Sequence, residues 1–150
     1  MVGGFGSLLA SGQYNTDNPS AGAFTSGYDA PRLANRSILV VEDEVFVALS
    51  IEDALVSAGA TVIGPAMSVS SGLELLNSET EINGAILDIN VDNELVFPIA
   101  ERLRDQGIPI IFHTAYANVA EMQAAFPDAA ICMKPMLNEQ LVALAAERFG

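Results

Sequence analysis

An α/β fold of the (βα)5 type, a doubly wound parallel sheet with helices on both faces, is predicted by three observations. Five short apolar runs recur along the chain: Ile38 to Val41, Thr61 to Gly64, Gly84 to Asp88, Ile108 to Phe112 and Ala129 to Met133. Short continuous apolar runs of that length are strands buried on both faces, and the first has three β-branched residues of four. The stretches between them carry apolar residues at helical spacing, so strand and helix alternate and the strands lie parallel, joined by right-handed crossovers. Finally, the polar residues of chemical interest follow the runs: Glu42 and Asp43 the first, Asp88 the third, His113 and Thr114 the fourth, Lys134 and Pro135 the fifth. Open α/β sheets bind ligands at the carboxyl ends of their strands, where these residues fall.

The chain has 150 residues, 51% apolar and 17% charged, enough for one sizeable core. Nineteen acidic against six basic residues give a net charge of -13, which excludes nucleic acid as a direct partner because phosphate contacts need a basic surface. The same excess crowds carboxylates that can hold a cation. Cys132 stands alone, so there is no internal disulfide, and a reducing compartment suits it. No apolar stretch reaches membrane-spanning length and the start lacks an export signal, so a cytoplasmic protein with no membrane partner is expected. Residues 1–35 are rich in Gly, Ser, Asn and Pro, with Phe5, Tyr14, Phe24 and Tyr28 at no useful period. They read as a flexible arm, followed by one folded domain over residues 36–150.

The elements follow in order. After the first strand, Val47, Ile51, Ala54, Leu55 and Ala58 form the inward face of a helix that Gly59 ends. Pro65 closes the second strand, and Ser68 or Ser70 caps a helix through Leu76. Gly84 opens the third strand. The segment Glu94 to Gln106 reads as a helix with Val96, Phe97, Ala100 and Leu103 inward, Pro98 in its first turn and Gly107 after it. Pro109 must fall near the start of the fourth strand. Asn118 to Phe126 is an alanine-rich helix, Cys132 a small core side chain of the fifth strand, and Leu137, Leu141, Leu144 and Ala145 the buried face of the last helix.

Acid clusters, a hydroxyl and an ammonium on neighbouring strand tips are the groups a divalent-cation and phosphoryl site requires. In this order, from Ser37 to Phe149, they resemble the receiver domain of two-component response regulators, whose acidic pair, acceptor aspartate, switch threonine and lysine before a cis proline match Glu42-Asp43, Asp88, Thr114 and Lys134-Pro135. The resemblance implies the flavodoxin-like strand order 2-1-3-4-5. It also implies transfer of a phosphoryl group to Asp88 from a histidine kinase or a histidine phosphotransfer protein. Mg2+, for which Mn2+ can substitute, would be held by Asp43, Asp88 and the Asn90 backbone carbonyl, with Glu42 acting through a water. Thr114 and Lys134 would contact the phosphoryl group. Asn90 and Tyr116, two beyond the acceptor and the threonine, would modulate hydrolysis. Enzymatic activity would be confined to the domain's own phosphorylation and dephosphorylation.

Two residues depart from the common receiver pattern, Ile131 replacing an aromatic and Asp92 a proline, while Ala115 replaces the glycine of a narrower signature. Phe112-His113-Thr114-Ala115-Tyr116, with Asp88-Ile89-Asn90, resembles a mostly single-domain alphaproteobacterial group with a Phe-x-Thr-Gly-Tyr signature, which works with kinases of the HWE or related classes. His113 has no catalytic counterpart in the family and is expected to be an exposed or half-buried loop residue. A single-domain signalling protein is the leading expectation, monomeric or weakly dimeric on phosphorylation. Its partner face would comprise the Asn118–Phe126 helix, the fifth strand and the last helix. The alternative is a receiver-fold module that binds proteins without phosphorylation, which Ile131, Asp92 and Ala115 favour. A flavodoxin-like or hydrolytic enzyme would need a phosphate-cradling loop that the first strand's acidic tip lacks.

Overall fold

The computed structural model describes residues 31–78, 81–115 and 118–150. Residues 1–30 of the expected arm, and Tyr116, lie outside the described residues. Pro31–Gly150 forms one compact unit. Its central sheet is parallel, with strands β1 (Ser37–Val41), β2 (Thr61–Ala66), β3 (Gly84–Leu87), β4 (Ile110–Thr114) and β5 (Ala130–Met133) in the order β2-β1-β3-β4-β5. The helices are α1 (Val45–Ser57), α2 (Val69–Ser78), α3 (Phe97–Asp105), α4 (Val119–Ala125) and α5 (Asn138–Phe149). The predicted (βα)5 alternation and strand order are those observed.

Each strand feeds two cores because successive side chains point to opposite faces. Leu39, Val41, Ala85, Leu87 and Phe112 pack with Val69, Ile99, Leu103 and Met122 of α2, α3 and α4. Ile38, Val40, Ile86 and Ile111 pack with Ile51, Leu55, Leu141, Ala145 and Phe149 of α1 and α5. Phe126, just past α4, meets Phe112 edge-on at 5.3 Å and stacks on Phe97 at 5.9 Å, with the Arg104 guanidinium 5.2 Å from its ring. One aromatic side chain therefore ties α4 to β4 and α3.

Chain reversal explains the helix ends. Gly59 and Gly107 sit at φ +99 and +73, and in both places the next residue's N–H, of Ala60 or Ile108, bonds back to Leu55 or Leu103. These are Schellman ends, which favour glycine. Ser68 accepts from the Ser71 N–H at 3.1 Å while the Ser71 hydroxyl accepts from the Ser68 N–H, a reciprocal cap that starts α2.

Several elements differ from expectation. Glu94 and Leu95 are not helical: they pair antiparallel with Asn90 and Val91 across a two-residue turn, Asp92-Asn93, both residues having positive φ. That backbone twist matches a two-residue hairpin, and Asp and Asn tolerate it, so α3 begins only at Phe97. Pro65 does not end β2 but lies inside it, allowed because β2 is an edge strand. Pro109 precedes β4, which runs on through His113 and Thr114. Leu137 is 65% exposed, outside the buried face of α5. Within residues 31–35, Leu33 is fully buried in the α1–α5 core and donates its N–H to the Ala58 carbonyl at 2.8 Å.

Gly84 shows how tightly α5 lies on the sheet. A β-carbon there would meet the Phe149 ring at 2.4 Å. Gly84→Ala is expected to lower stability by about 1–3 kcal/mol through overpacking, and Phe149→Leu to recover part of that loss in the double variant. Urea unfolding of the four proteins checks this. Strict additivity of the two substitutions would contradict the contact.

Candidate functional site

Parallel register brings the strand tips together. Val41 pairs with Leu87, so Glu42 and Asp88, each one residue past its strand, emerge side by side, and the Asp88 N–H donates to the Val41 carbonyl at 3.0 Å. Thr114 pairs with Met133, and the Lys134 N–H donates to the Thr114 carbonyl at 2.8 Å, which sets Lys134 over the same end of the sheet. The crevice between these tips is lined by Asp43, Asp88, Asn90, Thr114, Ala115 and Lys134, among others. The predicted site residues within the described part of the chain thus lie together, with Pro135 next to Lys134 across a cis peptide bond.

The Lys134 ammonium is the hub. It lies 2.8 Å from Asp88 Oδ2, 2.9 Å from Glu42 Oε1 and 2.8 Å from Glu44 Oε1. Burial pulls its pKa down, but hydrogen bonds to Asp88, Glu44 and Glu42 overrule that and hold it above the ordinary lysine value. Glu42 moves the other way for a carboxyl group: burial raises its pKa despite bonds to Lys134 and the Glu44 N–H. Asp88 Oδ1 accepts from the Ile89 N–H at 2.7 Å, so both oxygens of this buried carboxylate are oriented. Asp43 Oδ2 accepts from the Asp92 N–H at 2.8 Å, fixing that carboxylate through the hairpin turn.

Glu42, Asp43 and Asp88 each place a carboxylate oxygen within 4.8 Å of the others. Three hard oxygen donors, two of them on buried side chains, can coordinate a divalent metal ion. Two features were not assigned a role from sequence. Glu44 is a third consecutive acid after Glu42 and Asp43, and the anchoring N–H of Asp92 depends on the unforeseen turn.

His113 is not a loop residue. It is the fourth residue of β4, 5% exposed, facing the α1–α5 side beside Cys132, and neither ring nitrogen has a hydrogen-bond partner among the described residues. Burial, reinforced by Lys134, lowers its pKa below 6.5 and keeps the ring neutral. Cys132 is a buried core residue whose thiol burial pushes up in pKa, away from thiolate chemistry.

A histidine with a lowered folded-state pKa binds fewer protons than in the unfolded chain, so its contribution to stability is lost as pH falls from 6.5 toward the folded value. His113→Leu should flatten the stability-pH slope in that window and leave stability at pH 7.5 unchanged or about 1 kcal/mol higher, since two unpaired polar atoms disappear. Chemical denaturation at a series of pH values from 5 to 8 reads both effects (about this range brackets the ordinary histidine pKa). An unchanged slope would mean that another group titrates there.

The arrangement defines a doubly wound α/β domain with an acidic, lysine-bearing crevice at its strand tips. Among solved structures, SdrG from Sphingomonas melonis Fr1 is 33% identical, with 74% of this chain and 94% of that chain covered and a TM-score of 0.62. A response regulator receiver protein from Sinorhizobium medicae WSM419 is 28% identical over 74% of this chain and 90% of that one, with a TM-score of 0.63. A CheY-like receiver domain protein from Methanospirillum hungatei JF-1 is 25% identical over 75% and 91%, with a TM-score of 0.67. No family model matches the chain. No curated protein sequence matches it either. The chain has the CheY-like fold of response regulator receiver domains. None of the described helices is long and apolar enough to cross a membrane.

Proposed function

We propose that this domain accepts a phosphoryl group on Asp88 from a histidine kinase or a histidine phosphotransfer protein and signals by binding another protein. The observation that carries the reading is the placement of Asp88: a buried carboxylate oriented by Lys134 and the Ile89 N–H, with Glu42 and Asp43 within metal-sharing distance. An Asp88 oxygen attacks phosphorus in line; the O–P bond forms as the P–N bond of phosphohistidine breaks, and the imidazole leaves and takes a proton from solvent. Lys134 follows the phosphoryl oxygens, joined by the Thr114 hydroxyl. Hydrolysis by water returns the carboxylate.

Asp43, Asp88 and the Asn90 carbonyl would hold Mg2+ or Mn2+. When bound, the ion neutralises charge on the transferring group. Glu42 spends one oxygen on Lys134 and the other on the Glu44 N–H, which supports its reaching the ion through a water. Asn90 is exposed at the crevice mouth, where it can influence the approach of water.

The finer kinship with the Phe-x-Thr-Gly-Tyr group, and with it a kinase of the HWE class, rests on Phe112, Thr114 and Tyr116. The output face formed by α4, β5 and α5 is supported by exposed Ala120, Ala124 and Ala125 and by Met133, 42% exposed. Ile131, half-buried on β5, stands where receivers carry a switching aromatic, which favours a relay through other side chains. A cytoplasmic location agrees with the phosphohistidine donors this reading requires.

Radiolabelled phosphohistidine donor and phosphoramidate should both label the wild type in the presence of Mg2+ and leave Asp88→Asn unlabelled. Lys134→Ala should slow labelling about a hundredfold, the scale for removing one donor aimed at a developing oxyanion. EDTA should abolish labelling by either donor. Folded protein that takes label from neither source would turn the reading to a phosphorylation-independent binding module.

A further inference from the structure

We infer that Glu44 is a displaceable latch on Lys134: it occupies the ammonium in the resting domain and leaves it for the N-terminus of α1 when Asp88 carries a phosphoryl group. The inference rests on the phosphoacceptor reading and deepens it.

An ammonium has three N–H donors. Those of Lys134 face three carboxylates, of Asp88, Glu42 and Glu44, at 2.8, 2.9 and 2.8 Å. Phosphorylation removes the charge of the Asp88 carboxylate and sets several strong phosphoryl acceptors before the same three donors; when more than one of them binds the ammonium, Glu42 or Glu44 has to give way. Glu42 is badly placed to do so. Its side chain is 2% exposed, and its second oxygen is held by the Glu44 N–H at 3.1 Å, so losing Lys134 would leave a buried carboxylate without its counter-charge. The Glu44 side chain is 61% exposed and meets water on release.

Glu44 also has somewhere to go. It is the N-cap residue of α1, a 13-residue helix, yet its side chain makes no capping bond, and the first turn of α1 contains no other acid. The first amides of a helix lack partners within it, and the helix dipole favours negative charge there. The resting structure commits this carboxylate to a lysine 90 positions away. Release from Lys134 and capping of Phe46 and Val47 are therefore alternative uses of one side chain. Glu44 is a positioning residue in this scheme: it acts on the phosphoryl group only through Lys134.

Glu44→Asp separates the latch from simple repulsion of an anionic donor, because it keeps the charge while shortening its reach. Initial rates of Asp88 labelling by phosphoramidate with Mg2+ should rise about two- to fivefold in Glu44→Gln and Glu44→Asp alike, the worth of one exposed ion pair. Hydrogen exchange at the Phe46 and Val47 amides should slow severalfold in the wild type on adding beryllofluoride and Mg2+, and the slowing should shrink in Glu44→Gln. Wild-type rates in Glu44→Asp, or exchange at those amides indifferent to beryllofluoride, would overturn the latch and leave Asp88 as acceptor. Absence of label in the folded wild type would overturn the acceptor reading and the latch with it.

Discussion

One ammonium holds the carboxyl end of this sheet together. The register of β1 with β3 forces Glu42 and Asp88 into adjacent, buried positions, and the start of α1 adds Glu44. Like charges so confined repel strongly where water is scarce. Lys134 offsets that repulsion by contacting all three, and its own pKa is held up in return. Since a raised lysine pKa adds stability that persists until pH climbs through the folded value, this contribution is complete at neutral pH. Glu42 has the opposite sign. Its raised pKa means that the folded state favours the protonated form, so stability from this group falls as pH rises above 4.5 through the folded value. The tip of the sheet is thus a compromise between burial and ion pairing.

The two cores rely on a different kind of constraint, alternation. Leu39 and Val41 face one layer while Ile38 and Val40 face the other, and the same switch repeats in β3 and β4. Shifting any of these strands by one residue would exchange the layers, so register is fixed by both at once. That rigidity is what allows four separate strand ends, of β1, β3, β4 and β5, to deliver side chains to one crevice.

Most of this was legible in the sequence because it depends on local patterns. Apolar runs too short for helices announced the strands, and the acids, hydroxyl and lysine that follow them announced the crevice. What escaped depended on contacts between distant residues or on unusual backbone. Asp92 and Asn93 carry no glycine, so their left-handed turn gave no signal, Glu94 and Leu95 after it were assigned to a helix, and the hairpin that anchors Asp43 was missed. His113 is polar and follows an apolar run, which suggested a loop, but pairing opposite Cys132 continues β4 past it. Leu33 sits in a polar segment and gains its burial only from the α1–α5 core. Leu137 fits the apolar period of α5 but precedes its first turn, where it stays largely exposed.

Pro65 has an effect beyond the shape of β2. This strand forms one border of the sheet, and a proline within it withholds a backbone donor while the irregular pairing between Leu39 and Val41 disturbs the ladder beside it. An intruding strand would find that border a poor template. The opposite border is β5, only four residues long. Both margins of the sheet are therefore ill suited to intermolecular strand addition, the first step of cross-β growth.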